Sequence, residues 1–326
     1  MTRRGPSSSS PGREVSGNYA SSVGAGDGTV VCLGVFDGVH RGHRALISEA
    51  RALADASGRP LVVVTFDPHP ATVLRPLSVP RSLATITERV RLLQDAGADE
   101  VDILRFDEAM SHESPEEFVD GILVRRLDAR TVVVGENFLF GEGARGNAKT
   151  LADLGAVRGF DVRAVPLRSD GIPWSSTRIR SLLMEGAVEP ANAILGRPYR
   201  MEGIVVHGDH RGRDLGYPTA NLQPDGTPVI PADGVYAGFL VAAADRMPAA
   251  ISVGTNPQFA GEDLRVEAYV LDRTDLDLYG RHVALDFTAF VRPQATFTTL
   301  EAYLEQMARD VEAARAATDF IVPPPG

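Results

Sequence analysis

The sequence is short of several things, and each shortage removes a class of protein. Its 326 residues hold one cysteine, Cys32. One thiol cannot close an internal disulfide, so the chain reads as a protein of a reducing compartment, the cytoplasm, with Cys32 a packed thiol and not a nucleophile. No apolar run approaches the ~18 residues of a membrane span. The N-terminus has early arginines but lacks the apolar core of a secretory signal. Residues 1–27, rich in serine, proline and glycine, read as a flexible tail. Positive charge is also in deficit: the net charge is -10 and the pI is near 5.2. That argues against a nucleic-acid or anionic-membrane binder held by a general basic surface. An anionic small substrate would need local basic groups.

What is present is an ordinary soluble composition, 44% apolar and 23% charged, over a length that suggests about two domains. From Thr29 to about Gly186, short apolar runs (TVVCLGVF, LVVVTF, VDILRF, TVVVG, FDVRAV) alternate with segments of helical periodicity (HRALISEARALADA, TERVRLLQDAG, SPEEFVDGILVRRL, AKTLADLGAVRG). This predicts an α/β, doubly wound parallel sheet over 28–186, with right-handed crossovers and every strand C-end on one ligand-binding edge. Ser114 and Glu117 predict a capping box. After a short helix, VEPANAIL, β-type runs follow one another with turns between them. They predict a small barrel over 187–320, covered by a helix at about 299–317. No internal repeat is visible.

Polar motifs sit where strands of the first half end. The first is GVFDGVHRGH. Gly34, Gly38 and Gly42 would let backbone approach a ligand, Phe36 and Asp37 lie between them, and His40 and His43 open a helix whose N-terminus favours anions. Two imidazoles could donate to phosphate oxygens or hold zinc, but no third zinc ligand stands at convincing spacing. Alone, the motif suits a tight turn with one packed and one solvated histidine. It is joined by Asp67 and His69 in TFDPHP, by Asn137 and Phe138 in GENFLFG, and by Ser176, Thr177, Arg178 and Arg180 in SSTRIR. The last combines hydroxyl caps, free N–H groups and two guanidiniums, which suits a polyphosphate.

The second half carries GDHRGRDLGYPTAN. Gly208, Arg211, Gly212, Arg213 and Gly216 resemble a phosphate cradle, although an exposed basic turn is the plainer reading of that stretch alone. Thr219 and Asn221 alternate by two and would share one face of a strand, offering hard oxygen ligands to Mg²⁺. Glu267 in RVEAYVLD is either a cross-strand ion-pair partner or a general base for an alcohol attacking a phosphate.

Together these motifs resemble the bacterial bifunctional riboflavin kinase/FAD synthetase family, from about Val30 to the C-terminus. The resemblance implies an N-terminal HxGH-superfamily nucleotidyltransferase that joins FMN to the AMP part of ATP. It also implies a C-terminal six-stranded barrel that phosphorylates riboflavin. It carries over His40, His43, Asn137 and Arg178 as nucleotide-site groups, with Ser176 and Thr177 beside the phosphates, Asp67, His69 and Phe138 as flavin-site candidates, Thr219 and Asn221 at Mg–ATP, and Glu267 as base. ATP is the implied co-substrate, Mg²⁺ the implied metal, and riboflavin, FMN and FAD the implied ligands. No nucleic acid or membrane partner is implied, and a homo-oligomer is left open. Leu139, Asn147, Trp174, Gln258 and the Val291–Phe297 run depart from the family pattern. Two rivals stand beside this reading: a nucleotidyltransferase acting on another phosphorylated substrate, and a flavin-binding regulator without turnover.

Overall fold

In a computed structural model, the protein is described at residues 27–166, 171, 174–208, 216–255 and 264–319. Residues 1–26 of the expected tail lie outside them, as do Arg211, Gly212, Arg213 and Gln258.

Five parallel strands form the first sheet: β1 (Thr29–Leu33), β2 (Leu61–Asp67), β3 (Glu100–Arg105), β4 (Ala129–Gly135) and β7 (Asp161–Val165), in the order β3-β2-β1-β4-β7. Strands β5 (Leu139–Phe140) and β6 (Gly146–Asn147) make a two-stranded ribbon beside it. The central strands read as unbroken apolar runs because both of their faces are covered. Val31, Leu33, Val62 and Val64 pack on one side with Phe118 and Leu123. Val30, Cys32, Leu61 and Val63 pack on the other with Leu46 and Ile47. Cys32 is fully buried, and desolvation pushes its thiol pKa up, away from nucleophile chemistry. The strand order reverses between β1 and β4, so the loops after these two strands open at the switch point of the sheet.

The Ser114–Glu117 capping box forms as the sequence predicts and starts the helix Pro115–Phe118. That helix continues through Val119–Arg126 with wider turns, seen in the bond from the Leu127 N–H to the Ile122 carbonyl at 3.0 Å.

Six described strands close the barrel: β8 (Tyr199–Val206), β9 (Thr219–Pro224), β10 (Gly234–Ala242), β11 (Asp245–Thr255), β12 (Leu264–Val270) and β13 (His282–Arg292), in the order β10-β11-β12-β9-β8-β13. All neighbours are antiparallel. The helix Leu300–Asp319 lies on the outside, with Ala314 packed against Ala237 and Leu271.

The helices Ser176–Met184 and Val188–Leu195 join the barrel core. Ile179, Leu182, Leu183, Val188, Ala191 and Leu195 share one buried cluster with Tyr236, Leu240, Ile251 and Phe287. Leu83, from the first half, enters the same cluster. Beside it, Ser82 exchanges backbone bonds with Thr227 (3.0 Å) and Val229 (2.9 Å). The two halves are therefore joined by shared apolar packing. Leu183 is fully buried while Met184 is 58% exposed. Leu183→Ala is expected to lower unfolding free energy by about 2–5 kcal/mol, and Met184→Ala to change it by no more than about 0.5 kcal/mol. Urea unfolding of the two variants checks this contrast.

Candidate functional site

The loop after β1 is wound tightly. Phe36 (φ 52°) and Val39 (φ 39°) both take left-handed backbone angles. That conformation is costly for a β-branched residue, of the order of 1–3 kcal/mol, and persists only where the surroundings impose it. His40 then caps the helix Arg41–Ser57, its Nδ1 accepting the His43 N–H at 3.3 Å. This bond leaves the neutral His40 with its proton on Nε2, where it can donate. The two imidazoles stack with centroids 3.6 Å apart, and the Phe36 ring meets His43 edge-on at 5.2 Å.

Burial is the main reason both histidines titrate low. His40 is lowered to about 4 by desolvation, with Arg197 adding to it. His43 is held well below its ordinary value by desolvation, then by His40, Arg89 and Arg197. The resting pair is neutral at pH 7. The His43 Nδ1 is buried without a hydrogen-bond partner among the described residues.

The glycines have a reason other than approach to a ligand. A Cβ on Gly34 would lie 2.8 Å from the Phe36 ring, and one on Gly42 would lie 3.0 Å from the His40 ring. Gly38 takes a positive φ, and a Cβ there would meet Leu83 at 2.9 Å. Gly34 and Gly42 leave room for the loop's own rings, and Gly38 leaves room for Leu83 packed against the loop. Phe36 is only 1% exposed, so its ring backs His43 from the core and does not line the opening.

Asp37 also points inward. It is 2% exposed, accepts the Leu83 N–H at 3.0 Å, hydrogen-bonds the Arg180 guanidinium, and lies 3.7 Å from the Arg89 guanidinium. Arg180 further donates to the Arg81 carbonyl at 2.7 Å. Both groups serve as framework beneath the opening. Ser176 donates to the Asp37 carbonyl at 2.9 Å, while Ser175 caps the next helix by accepting the Arg178 N–H at 3.2 Å. Thr177 and Arg178 are exposed at that helix end, and Asn137 is exposed after β4. Phe138 stacks on Phe140 at 5.6 Å. Asp67 is exposed at the end of β2. The His69 Nδ1 accepts the Ala71 N–H at 3.0 Å, and burial lowers the His69 pKa. Arg41, between the histidines, stacks over Trp174 at 4.3 Å.

Two cations escape sequence reasoning. Arg89 donates to the Phe66 carbonyl at 3.0 Å, and Arg197 donates to the Gly38 carbonyl at 2.8 Å. Desolvation lowers both pKa values, Arg197 to about 10. Neither sits in a phosphate-type motif; only tertiary contact brings them under the histidines. The edge thus places buried positive charge below and neutral donors above, an arrangement that could accept an anion.

The barrel presents a different chemistry. Thr219, Asn221 and Glu267 line a cavity of about 960 Å³ with Arg292, Gln294 and Tyr303. Glu267 lies opposite Asn221 in the β9–β12 register and accepts the Thr219 hydroxyl at 3.1 Å. Gly208 makes room for Asn221, since a Cβ there would lie 2.3 Å from its side-chain nitrogen. Gly216 has φ +84° and open space around it. Arg292 forks onto Asp310 at 2.8 and 2.7 Å. Gln294 donates to the Val253 carbonyl and the Ser252 hydroxyl, both at 3.0 Å, so its amide clips the cavity wall. Among the described residues, no cluster of three or more His, Cys, Asp or Glu could hold a metal ion, at the histidine pair or elsewhere. Two neutral oxygens beside one carboxylate do fit Mg²⁺ that keeps water and phosphate oxygens as its other ligands.

The chain is similar to two described families: an FAD synthetase model matches residues 24–178 and a riboflavin kinase model matches 195–318. A bifunctional riboflavin kinase/FMN adenylyltransferase of Escherichia coli K12 is 34% identical over 291 residues, covering 89% of this chain and 92% of that one. The protein of the same description from Listeria monocytogenes is 36% identical, covering 88% and 91%. A solved structure described as a macrolide-efflux protein from Streptococcus pneumoniae superposes with a TM-score of 0.82 at 32% identity, covering 90% and 96%. Among the described residues here, no helix is long and apolar enough to cross a membrane.

The low His40 pKa has a measurable consequence. Its folded value of about 4 lies below the unfolded value near 6.5. The neutral ring's contribution to stability is therefore full above pH 6.5 and is lost as pH falls from there toward 4. Imidazole NMR of the ligand-free protein is expected to show a His40 midpoint near pH 4. A midpoint at or above the free-imidazole value would refute a neutral resting pair.

Proposed function

The chain belongs to the bifunctional riboflavin kinase/FMN adenylyltransferase family, and on that premise we propose how its two sites divide the work. The protein is a flavin-cofactor transferase with both activities, and ATP is the co-substrate of each. The barrel, over 187–320, converts riboflavin to FMN. The sheet module, over 28–186, converts FMN to FAD.

In the barrel, the riboflavin 5′-hydroxyl oxygen bonds to the γ-phosphorus of ATP as the bond to the β-phosphate oxygen breaks, releasing ADP. The hydroxyl proton passes to the Glu267 carboxylate as attack proceeds, since a free alkoxide is too costly to form in advance. Thr219 and Asn221 would hold Mg²⁺, which neutralises charge on the ATP phosphates. Thr219 also hydrogen-bonds Glu267 and orients it. Gly208 and Gly216 flank the expected phosphate loop.

At the sheet edge, an FMN phosphate oxygen bonds to the α-phosphorus while the bond to the bridging oxygen breaks and pyrophosphate leaves. The attacking group is already an anion, so no base and no protein nucleophile is required. Catalysis is positioning and charge stabilisation. His40 donates from Nε2, His43 stands beside it, and Thr177 and Arg178 approach the outer phosphates. Asn137 contacts the nucleotide, with Asp67, His69 and Phe138 toward the flavin. The histidines take on positive character as phosphate arrives above them. We place the protein in the cytoplasm, a setting suited to its one buried thiol.

The observation that carries the reading is the placement of Glu267 against Thr219 and opposite Asn221, on adjacent strands of a cavity large enough for substrate. The test is chromatography of products from riboflavin, ATP and Mg²⁺, sampled over time. FMN should appear first and FAD after it. Glu267→Gln is expected to slow FMN formation by about 10²- to 10⁴-fold while supplied FMN is still adenylylated. His43→Ala is expected to do the reverse. Undiminished riboflavin phosphorylation by Glu267→Gln would remove the proposed base.

A further inference from the structure

Arg197 belongs to the stretch that opens the barrel module, within the riboflavin kinase match. Its guanidinium nevertheless reaches the other module's loop. Nη2 donates to the Gly38 carbonyl at 2.8 Å and Nη1 to the Val39 carbonyl at 3.5 Å. Those carbonyls stand immediately before His40. They belong to two residues with positive φ, 78° at Gly38 and 39° at Val39. A loop in that conformation needs external contacts to hold it. Arg197 does not line the barrel cavity. We propose that Arg197 is a positioning residue for adenylyl transfer: the barrel module lends the sheet module the guanidinium that fixes the loop before His40 and sets positive charge beneath the paired imidazoles.

Three further observations support this inference, which rests on the reading of His40 and His43 as phosphate-binding groups. First, the Arg197 Nε is buried with no hydrogen-bond partner among the described residues. Part of this cation's hydrogen-bonding capacity is therefore unused. Second, no carboxylate pairs with it directly among the described residues; Glu88, on the helix Ile86–Asp95, acts on it only through its field. The charge that builds on the departing pyrophosphate in the transition state would supply the counter-charge. Third, Arg41 crosses the junction in the opposite direction, with Nη1 donating to the Ala193 carbonyl at 3.5 Å. The residues on either side of the Val39–His40 pair in sequence, Gly38 and Arg41, are thus both tied across the module boundary. The adenylyl site is complete only when the barrel is docked.

The test uses the full chain with Arg197→Gln, Arg197→Lys and His43→Ala, each assayed for adenylylation of supplied FMN and for phosphorylation of riboflavin. Arg197→Gln is expected to lower the adenylylation kcat by about 10- to 100-fold. KM for ATP should move by less than about threefold, the signature of an interaction that acts chiefly in the transition state. Riboflavin phosphorylation should stay within about twofold of wild type, because the cavity lies away from the substitution. Lysine keeps the charge but cannot fork to two carbonyls, so Arg197→Lys should fall between wild type and Arg197→Gln. If Arg197→Gln does not fold, Arg197→Lys decides by the same split between the two activities. Wild-type adenylylation in the variant that decides overturns the inference. A parallel loss of both activities also overturns it, since that would mark a group that merely joins the modules. Undiminished adenylylation in His43→Ala would instead overturn the reading of the histidines, whatever Arg197 does.

Discussion

The buried carboxylate of Asp37 is the constraint on which the sheet-edge site depends. It gathers three segments remote in sequence: the Leu83 amide, the Arg89 guanidinium on one helix and the Arg180 guanidinium on another. A charge 2% exposed is tolerable only with such partners. Losing one partner of a buried pair typically costs about 3–5 kcal/mol, because the survivor stays desolvated. On the proposed reading, the same arrangement explains how an acid can sit under a phosphate site without repelling its ligand. One carboxylate faces two guanidiniums, so the cluster keeps a positive charge, and Arg197 adds another beside it.

The two sites solve phosphoryl chemistry differently because their nucleophiles differ. At the sheet edge the attacking group is a phosphate, already ionised, and the described framework offers donors and buried cations. A carboxylate facing the reacting phosphorus there would only raise the barrier. In the barrel the attacking group is an alcohol with a proton to lose, and there a carboxylate lines the cavity. The neutral histidines fit the first problem. A permanently charged pair, stacked 3.6 Å apart, would repel itself in the empty site. A neutral pair avoids that repulsion and, on the proposed reading, would gain charge stabilisation when phosphate arrives.

Much of this was legible in the sequence, for physical reasons. Strands covered on both faces are apolar at nearly every position, so TVVCL and LVVVTF announce themselves, with Thr29 and Thr65 admitted because their hydroxyls donate to backbone carbonyls. The helix caps at Ser114 and Ser175 are local events that obey local rules. What was not legible depends on partners far away in the chain. Arg89 looks like a surface residue of an amphipathic helix, yet it is 5% exposed beneath the site. Asp37 and Arg180 read as phosphate-loop residues, but each is committed to the other. Gly34 and Gly42 read as openings for a ligand, while their missing Cβ atoms admit Phe36 and His40. In each case the residue type was informative and its direction was not, because direction is set by what packs behind.

The helix Ser176–Met184 shows how far that packing extends. Its N-terminal turn lies at the sheet edge, with Ser176 donating to the Asp37 carbonyl. One turn later Ile179, Leu182 and Leu183 are locked into the barrel core with Val188 and Leu195. The position of SSTRIR relative to the histidines is therefore fixed by apolar contacts that the other module supplies. A chain ending at Gly186 would keep every polar motif of the first module and lose the surface that orients one of them. Where the chemistry divides and where the folding divides are then separate questions. The chemical boundary falls between the two motif sets, whereas the packing boundary runs through a helix that belongs to both.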